Sequence, residues 1–158
     1  MITYLPEIYP DELVYSWFCR YAVHSGYINS QVLRELYSKK SDTPIKEFIG
    51  NLNPEAKECI DRMYPLRDFV LKHTMYPQYA RFVPLEQKKD ALYKLCYENC
   101  DAHHLFAVLP RCEKERYLKY CPVCASEDRQ RYGETYWHRK HQIRNMGICP
   151  KHKCKLRD

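Results

Sequence analysis

The chain has 158 residues, of which 45% are hydrophobic and 29% charged, a balance that excludes intrinsic disorder and leaves room for one modest core, or for two of which the smaller needs a metal or a partner. No apolar run approaches the ~20 residues a membrane-crossing helix needs, and "MITYLPEIYPDE" lacks the basic flank and apolar middle of an export signal. No membrane partner is expected, and in a reducing cytoplasm the nine cysteines are metal ligands or buried thiols. The net charge of +6 is unevenly spread: residues 111–158 carry 13 Lys and Arg against 6 Asp and Glu, whereas residues 1–110 carry 13 against 14. A basic final third favours contact with phosphates or with an acidic protein face.

The first helix is written in "PDELVYSWFCRYAVHSG". Leu13, Trp17 and Tyr21 fall on one stripe with Val14, Phe18 and Ala22 beside it, Asp11 and Glu12 provide an acidic opening, and Gly26 closes the helix. "NSQVLRELYS" follows with Asn29 or Ser30 as N-cap and Val32, Leu33, Leu36 and Tyr37 as its apolar face, so the pair can form a helix-turn-helix. Thr43-Pro44 and Asn53-Pro54 each read as an N-cap followed by proline at the first helical position, which predicts helices over 44–50 and 54–63, the latter stopped by Pro65. Leu66, Phe69, Val70 and His73 lie at helical spacing. "MYPQYARFVP", with its two prolines, reads as an extended link, and Leu85, Leu92, Leu95 and Cys96 restore a helix to about residue 98.

From Arg111 the chain turns basic and tyrosine-rich. The expected fold is mainly α, with a helical, helix-turn-helix-like domain over 1–110 followed by a small metal module over 111–158, the boundary falling between 108 and 116. Cys121-x2-Cys124 and Cys149-x2-His152, 24 residues apart, form two tight chelating pairs whose thiolates and imidazole suit one structural, tetrahedral zinc. Cys154 could replace His152, and His138 or His141 could face the metal from the intervening "GETYWHRKHQI", which reads as a short helix. A further group, Cys96, Cys100, His103, His104 and Cys112, has irregular spacing and is better read as buried thiols; Cys19 and Cys59 read as core.

No His-x-Glu precedes a Pro-Cys-x-x-Cys, and there is no His-Glu-x-x-His, nucleophile elbow or phosphate-binding glycine loop. With four protein ligands a zinc ion has no open position for water, so no enzymatic activity is expected. Arg129, Arg131, Arg139, Lys140 and Arg144 cluster between the half-sites and are the candidate contacts to nucleic-acid phosphates.

The ordered runs "YPDELVYSWFCRYAVHSG", "KHTMYPQYARFVP" and "RYLKYCPVCASEDRQRYGETYWHRKHQIRNMGICPKHKCKL" resemble the TniQ/TnsD family, target-site selectors of Tn-seven-like and CRISPR-associated transposons. By position, the resemblance puts the family's zinc motif on Cys121, Cys124, Cys149 and His152, and its helix-turn-helix region in the block before them. It implies a bacterial, cytoplasmic and nucleoid-associated adaptor that is not itself the transposase. Such an adaptor recruits the AAA+ ATPase TnsC to double-stranded DNA and works with a CRISPR effector complex or further transposition proteins. Family members that read an attachment site continue well beyond the zinc motif, whereas this chain stops six residues after His152; it reads as an N-terminal part of a TnsD-like protein or as a short TniQ. The alternative, from another class, is a free-standing zinc and helix-turn-helix regulator reading bases through Ser30, Gln31 and Arg34.

Overall fold

In the computed structural model, which describes residues 4–27, 35–38, 47–100 and 117–158 together with Ile2, Val32, Leu105 and Phe106, the chain is mainly helical. The described residues pair in β fashion only at isolated bridges. Helix α1, Val14–His24, buries Val14, Trp17, Phe18 and Tyr21 along the stripe that the sequence predicts. Trp17 sets its rotation: the indole Nε1–H donates to the Pro6 carbonyl at 2.7 Å, and the ring packs on Phe18 and Phe69. Gly26 ends the helix at φ +67°, a left-handed turn that brings the Tyr27 N–H to the Ala22 carbonyl at 3.3 Å. Asp11 and Glu12 lie before the helix and not in its first turn. Asp11 itself takes φ +57°, and Glu12 is fully buried, its carboxylate held by the Tyr9 N–H, the Ser16 hydroxyl and Arg20 while its backbone bridges to His138.

Of the expected second helix, Val32, Leu36 and Tyr37 are buried in the core; Asn29, Ser30, Gln31, Leu33 and Arg34 lie outside the described residues, as do Thr43, Pro44, His103, His104 and Cys112 and the expected boundary over 108–116. The helix predicted over 44–50 does not include 47–50. There the carbonyls of Glu47, Ile49 and Gly50 accept from the N–H groups of Met75, Leu52 and Cys100, and the consecutive Phe48 and Ile49 are both buried. A backbone with those partners is not free to continue a helix.

Helix α2, Pro54–Met63, starts as the sequence indicates: the Asn53 side chain accepts from the Ala56 N–H at 2.6 Å, and its amide donates to the Glu35 carbonyl. Asn53→Ala is expected to cost about 1–2 kcal/mol, read as a shift of the urea midpoint. Lys57 on this helix is buried, and burial holds its ammonium below the ordinary lysine pKa. The ammonium donates to the carbonyls of Gly50, Leu95 and Glu98 at 3.4, 3.1 and 2.6 Å, closing the end of helix α5, Leu85–Tyr97. Between them, helix α3, Leu66–His73, packs on both α2 and α5.

Of the two prolines of "MYPQYARFVP", Pro84 lies in the expected extended backbone, with Val83 before it, but Pro77 does not. Pro77 sits in the first turn of helix α4, Tyr76–Tyr79, where no backbone N–H is required, and a 3-10 turn over Ala80–Phe82 follows. Rings of Phe48, Tyr76, Tyr79 and Phe106 stack around it as part of the core.

In the last third the helix is displaced from its expected place. Helix α6, Pro122–Tyr132, begins within the first half-site, with Cys121 as N-cap and Pro122 in its first turn, and ends at Gly133, whose φ is +80°. "GETYWHRKHQI" holds only a 3-10 turn, Arg139–Gln142. Its backbone is engaged elsewhere: Leu13 N–H donates to the Trp137 carbonyl at 2.9 Å and Arg139 N–H to the Asp11 carbonyl at 2.7 Å, an antiparallel bridge of Glu12 with His138.

Candidate metal centre

Each half-site is a tight turn around its first cysteine. The Cys121 sulfur accepts from the Cys124 N–H, and the Cys149 sulfur from the His152 N–H, both at 3.4 Å. The halves are joined by reciprocal bonds of 2.8 and 2.9 Å between Tyr120 and Arg157. A turn with Lys153 at φ +57° then lets Cys149 N–H reach the Cys154 carbonyl at 2.8 Å.

The result gathers Cys121, Cys124, Cys149 and His152, with all four ligand atoms within 4.8 Å of one another. With metal–sulfur bonds of about 2.3 Å and a metal–nitrogen bond of about 2.0 Å, a tetrahedron has edges of about 3.8 Å between sulfurs and about 3.5 Å from sulfur to nitrogen. Cys124 Sγ lies 3.8 Å from Cys149 Sγ, and His152 Nδ1 lies 3.5, 3.3 and 3.8 Å from the sulfurs of Cys121, Cys124 and Cys149. The donor set therefore fits one metal ion. Burial and the neighbouring sulfurs push the Cys124 thiol up, while N–H donation from Cys124 and the adjacent thiols, acting against burial, hold Cys121 down. So crowded a set of sulfurs loses all its protons only to a cation that replaces them.

Two of the residues that could substitute as ligands stand as close to the cluster as its own members. Cys154 Sγ stands 3.2 Å from Cys121 Sγ. His141 places Nε2 3.5 Å from the Cys149 sulfur and 3.8 Å from that of Cys124. Burial pushes His141 down to about 4, so it stays neutral, and its Nδ1 is the buried side-chain atom without a partner among the described residues. His138 turns away from the metal site: Nε2 lies 2.8 Å from Asp128 and the ring stacks on Tyr136. His152 is itself braced, its Nε2 3.2 Å from Glu127, which also holds Lys151 at 2.5 Å. Glu127 lies one helical turn beyond Cys124, a signal that was present in the sequence at i+3.

The segment between the half-sites is fastened to the N-terminal block by a largely buried polar clamp. Arg20 reaches Glu12 at 2.8 Å, Glu134 at 2.9 Å and the Glu7 carbonyl at 3.1 Å, with its guanidinium 3.6 Å from the centre of the Tyr9 ring. Glu134 also takes Tyr9 Oη and His24 Nε2, at 2.9 and 3.0 Å; although burial opposes it, these partners hold its carboxyl below the usual range. Tyr9 stacks on Tyr132, the Tyr136 hydroxyl donates to the Pro10 carbonyl, and Trp137 N–H donates to Ser16 Oγ. Sequence reading found none of this clamp, because ion pairs between residues over a hundred positions apart leave no local pattern.

The five cationic residues between the half-sites divide. Arg139 is turned inward, bonded to Asp11 at 3.3 Å and to the Leu71 and Thr74 carbonyls at 2.8 and 3.5 Å, so its guanidinium is engaged within the protein and not offered to phosphates. Arg129, Arg131, Lys140 and Arg144 are exposed. Arg131 and Lys140 line one groove of about 430 Å³ beside the cysteine cluster, together with Lys151 and the carboxylates of Asp11, Glu127 and Asp128, which bond to Arg139, Lys151 and His138 respectively.

A helical block fastened to a three-cysteine, one-histidine cluster defines the chain as a mainly helical protein with a site that could hold a metal ion. The TniQ family model matches residues 3–156, nearly the whole chain, and the chain belongs to the TniQ family. Transposon Tn7 transposition protein TnsD of Escherichia coli is 29% identical over 151 residues, which are 93% of this chain and 30% of that relative. The chain thus spans under a third of the length of the curated relative it matches.

Proposed function

We propose that this chain is a non-enzymatic adaptor for target-site selection in DNA transposition, which recruits a TnsC-like AAA+ ATPase to the insertion site and rests on the backbone of double-stranded DNA. The observation that carries this reading is the TniQ match across residues 3–156, supported by the likeness to a transposition protein. In this reading a CRISPR effector complex or a further transposition protein supplies the target, in the bacterial cytoplasm. No helix among the described residues is long and apolar enough to cross a membrane.

The metal we assign is a single structural zinc on Cys121, Cys124, Cys149 and His152, because three thiolates and an imidazole at tetrahedral edges suit it and fill its coordination. The division into a helical block, 1–110, and a zinc module, 111–158, belongs to the same reading. Arg131 and Lys140 form the centre of the phosphate-contacting surface, with Arg129 and Arg144 extending it.

Two measurements test the proposal. With the ATPase of the same transposon purified, the chain should bind it and increase its loading on a target duplex; strong sequence-specific DNA binding without any binding to the ATPase would instead support a free-standing regulator. Arg131→Glu with Lys140→Glu should lower the slope of log affinity against log salt by about 2 on a duplex of arbitrary sequence, with metal content unchanged. An unaltered slope removes this pair from the DNA surface.

A further inference from the structure

Beside the metal module lies a second depression, of about 290 Å³, formed where α4 and its 3-10 turn meet the Arg139–Gln142 turn. Its lining combines apolar and cationic side chains: Met75, Pro77, Phe82 and Ile143 with Arg81 and Lys140. Phe82 is 90% exposed, the most exposed of the large hydrophobic side chains described. This exposure does not come from a loose backbone. Val83 N–H bonds the Ala80 carbonyl at 3.3 Å, Ala80 is buried, and Tyr79 on the other side packs against Phe48 and Phe106. The ring is held out in water by a turn anchored in the core, and Leu85, three residues on, is 64% exposed.

The charges around this ring have one sign. Among the described residues no Asp or Glu lines the depression. Arg139, in its wall, is already met by Asp11 at 3.3 Å, whereas Arg81 and Lys140 make no ion pair among the described residues. The Arg81 guanidinium stands 5.9 Å from the Phe82 ring centre. A DNA backbone could answer the two cations, but it has nothing to place against Phe82, Met75, Pro77 and Ile143. A protein segment with an apolar anchor flanked by carboxylates answers both.

We propose that this depression is the docking site for an acidic segment of the AAA+ partner, which seats an apolar side chain against Phe82 and Pro77 and sets a carboxylate by Arg81. The inference rests on the adaptor reading, to which it adds the face used and the chemistry recognised. An exposed aromatic ring beside unpaired arginine is the kind of anchor that dominates such interfaces.

The test uses the full metal-loaded chain and the purified ATPase of the same transposon, with affinity measured by biolayer interferometry. Phe82→Ala should weaken binding about tenfold or more, and Arg81→Glu by a comparable factor that shrinks as salt rises. Since both side chains are exposed, metal content and melting temperature should match the unaltered chain. If the unaltered chain and Phe82→Ala bind the ATPase equally, the docking face is wrong while the adaptor reading stands. If the unaltered chain does not bind the ATPase at all, both fail. Loss of duplex-DNA affinity in Phe82→Ala with ATPase binding intact would give the depression to DNA and overturn the proposal.

Discussion

Cys149→Ser releases the metal and unfolds residues 117–158: this is the largest effect expected of any single substitution in the chain. The second core consists of Cys121, Cys124, Cys149 and Leu156, with Met146 and Cys154 packed at its edge. Burying so few side chains yields about 1.5–3 kcal/mol each at most, while ordering the backbone costs about 1–2 kcal/mol for every residue fixed. The deficit must be met from elsewhere, and a structural zinc supplies about 10–16 kcal/mol at neutral pH. The clamp to α1 holds one side of the module but contains none of the ligands. Metal analysis by atomic emission should give one equivalent for the unaltered chain and far less for the variant, and limited proteolysis should cut the variant after residue 117. A chelator should reproduce the effect in the unaltered chain. Cooperative melting at an unchanged midpoint, in a variant shown to be metal-free, would overturn this account of the module.

The second large effect is expected at Arg20. Arg20→Ala removes the sole cation that contacts Glu12 among the described residues, a carboxylate with no exposed surface, and leaves it with the Tyr9 N–H at 2.9 Å and the Ser16 hydroxyl at 3.1 Å. Breaking a buried ion pair on one side costs about 3–5 kcal/mol. The loss has a pH signature. Burial already raises the Glu12 pKa against the lowering effect of Arg20, so without Arg20 it rises further. A carboxyl raised on folding stabilises below its unfolded pKa and loses that contribution as pH climbs through its folded value, so the variant suffers most at high pH. The Glu134 carboxyl, lowered on folding, acts in the opposite sense in the unaltered chain: its contribution is present above the unfolded pKa and lost as pH falls. Both trends narrow the gap between the two proteins in acid. Urea midpoints at pH 8 and about pH 4 should show the difference shrinking, and Glu12→Gln in the Arg20→Ala background should restore part of the stability. A gap independent of pH would exclude Glu12 as its source.

What could be read in the sequence was local. The stripe of α1, its glycine stop, the Asn53 cap and the turn within each of the two cysteine pairs depend on residues within a few positions of one another, and the structure brings the two pairs together. Two of the departures share a cause. The segment 133–143 reads as a short helix, yet Trp137 and Arg139 within it bond the backbone of Leu13 and Asp11, which no window around it contains. The same non-locality hid the Glu12–Arg20–Glu134 clamp and turned Arg139 from an expected phosphate contact into an internal tie. Helix α6 was missed for a different reason: Cys121-Pro122 was read as a metal turn alone, although proline after a capping residue and Gly133 at the far end are helix boundaries in their own right.

The bond from Trp137 N–H to Ser16 Oγ, 121 positions apart in the chain, also has a consequence for synthesis on the ribosome. At about 5–20 residues per second, helix α1 leaves the ribosome many seconds before Glu134 and Trp137 exist. During that interval Arg20 has Glu12 but not Glu134, and the N–H of Leu13 has no carbonyl to meet. The opening turn of the chain is therefore among the last parts to reach its final form, completed only when the segment around Trp137 has been made.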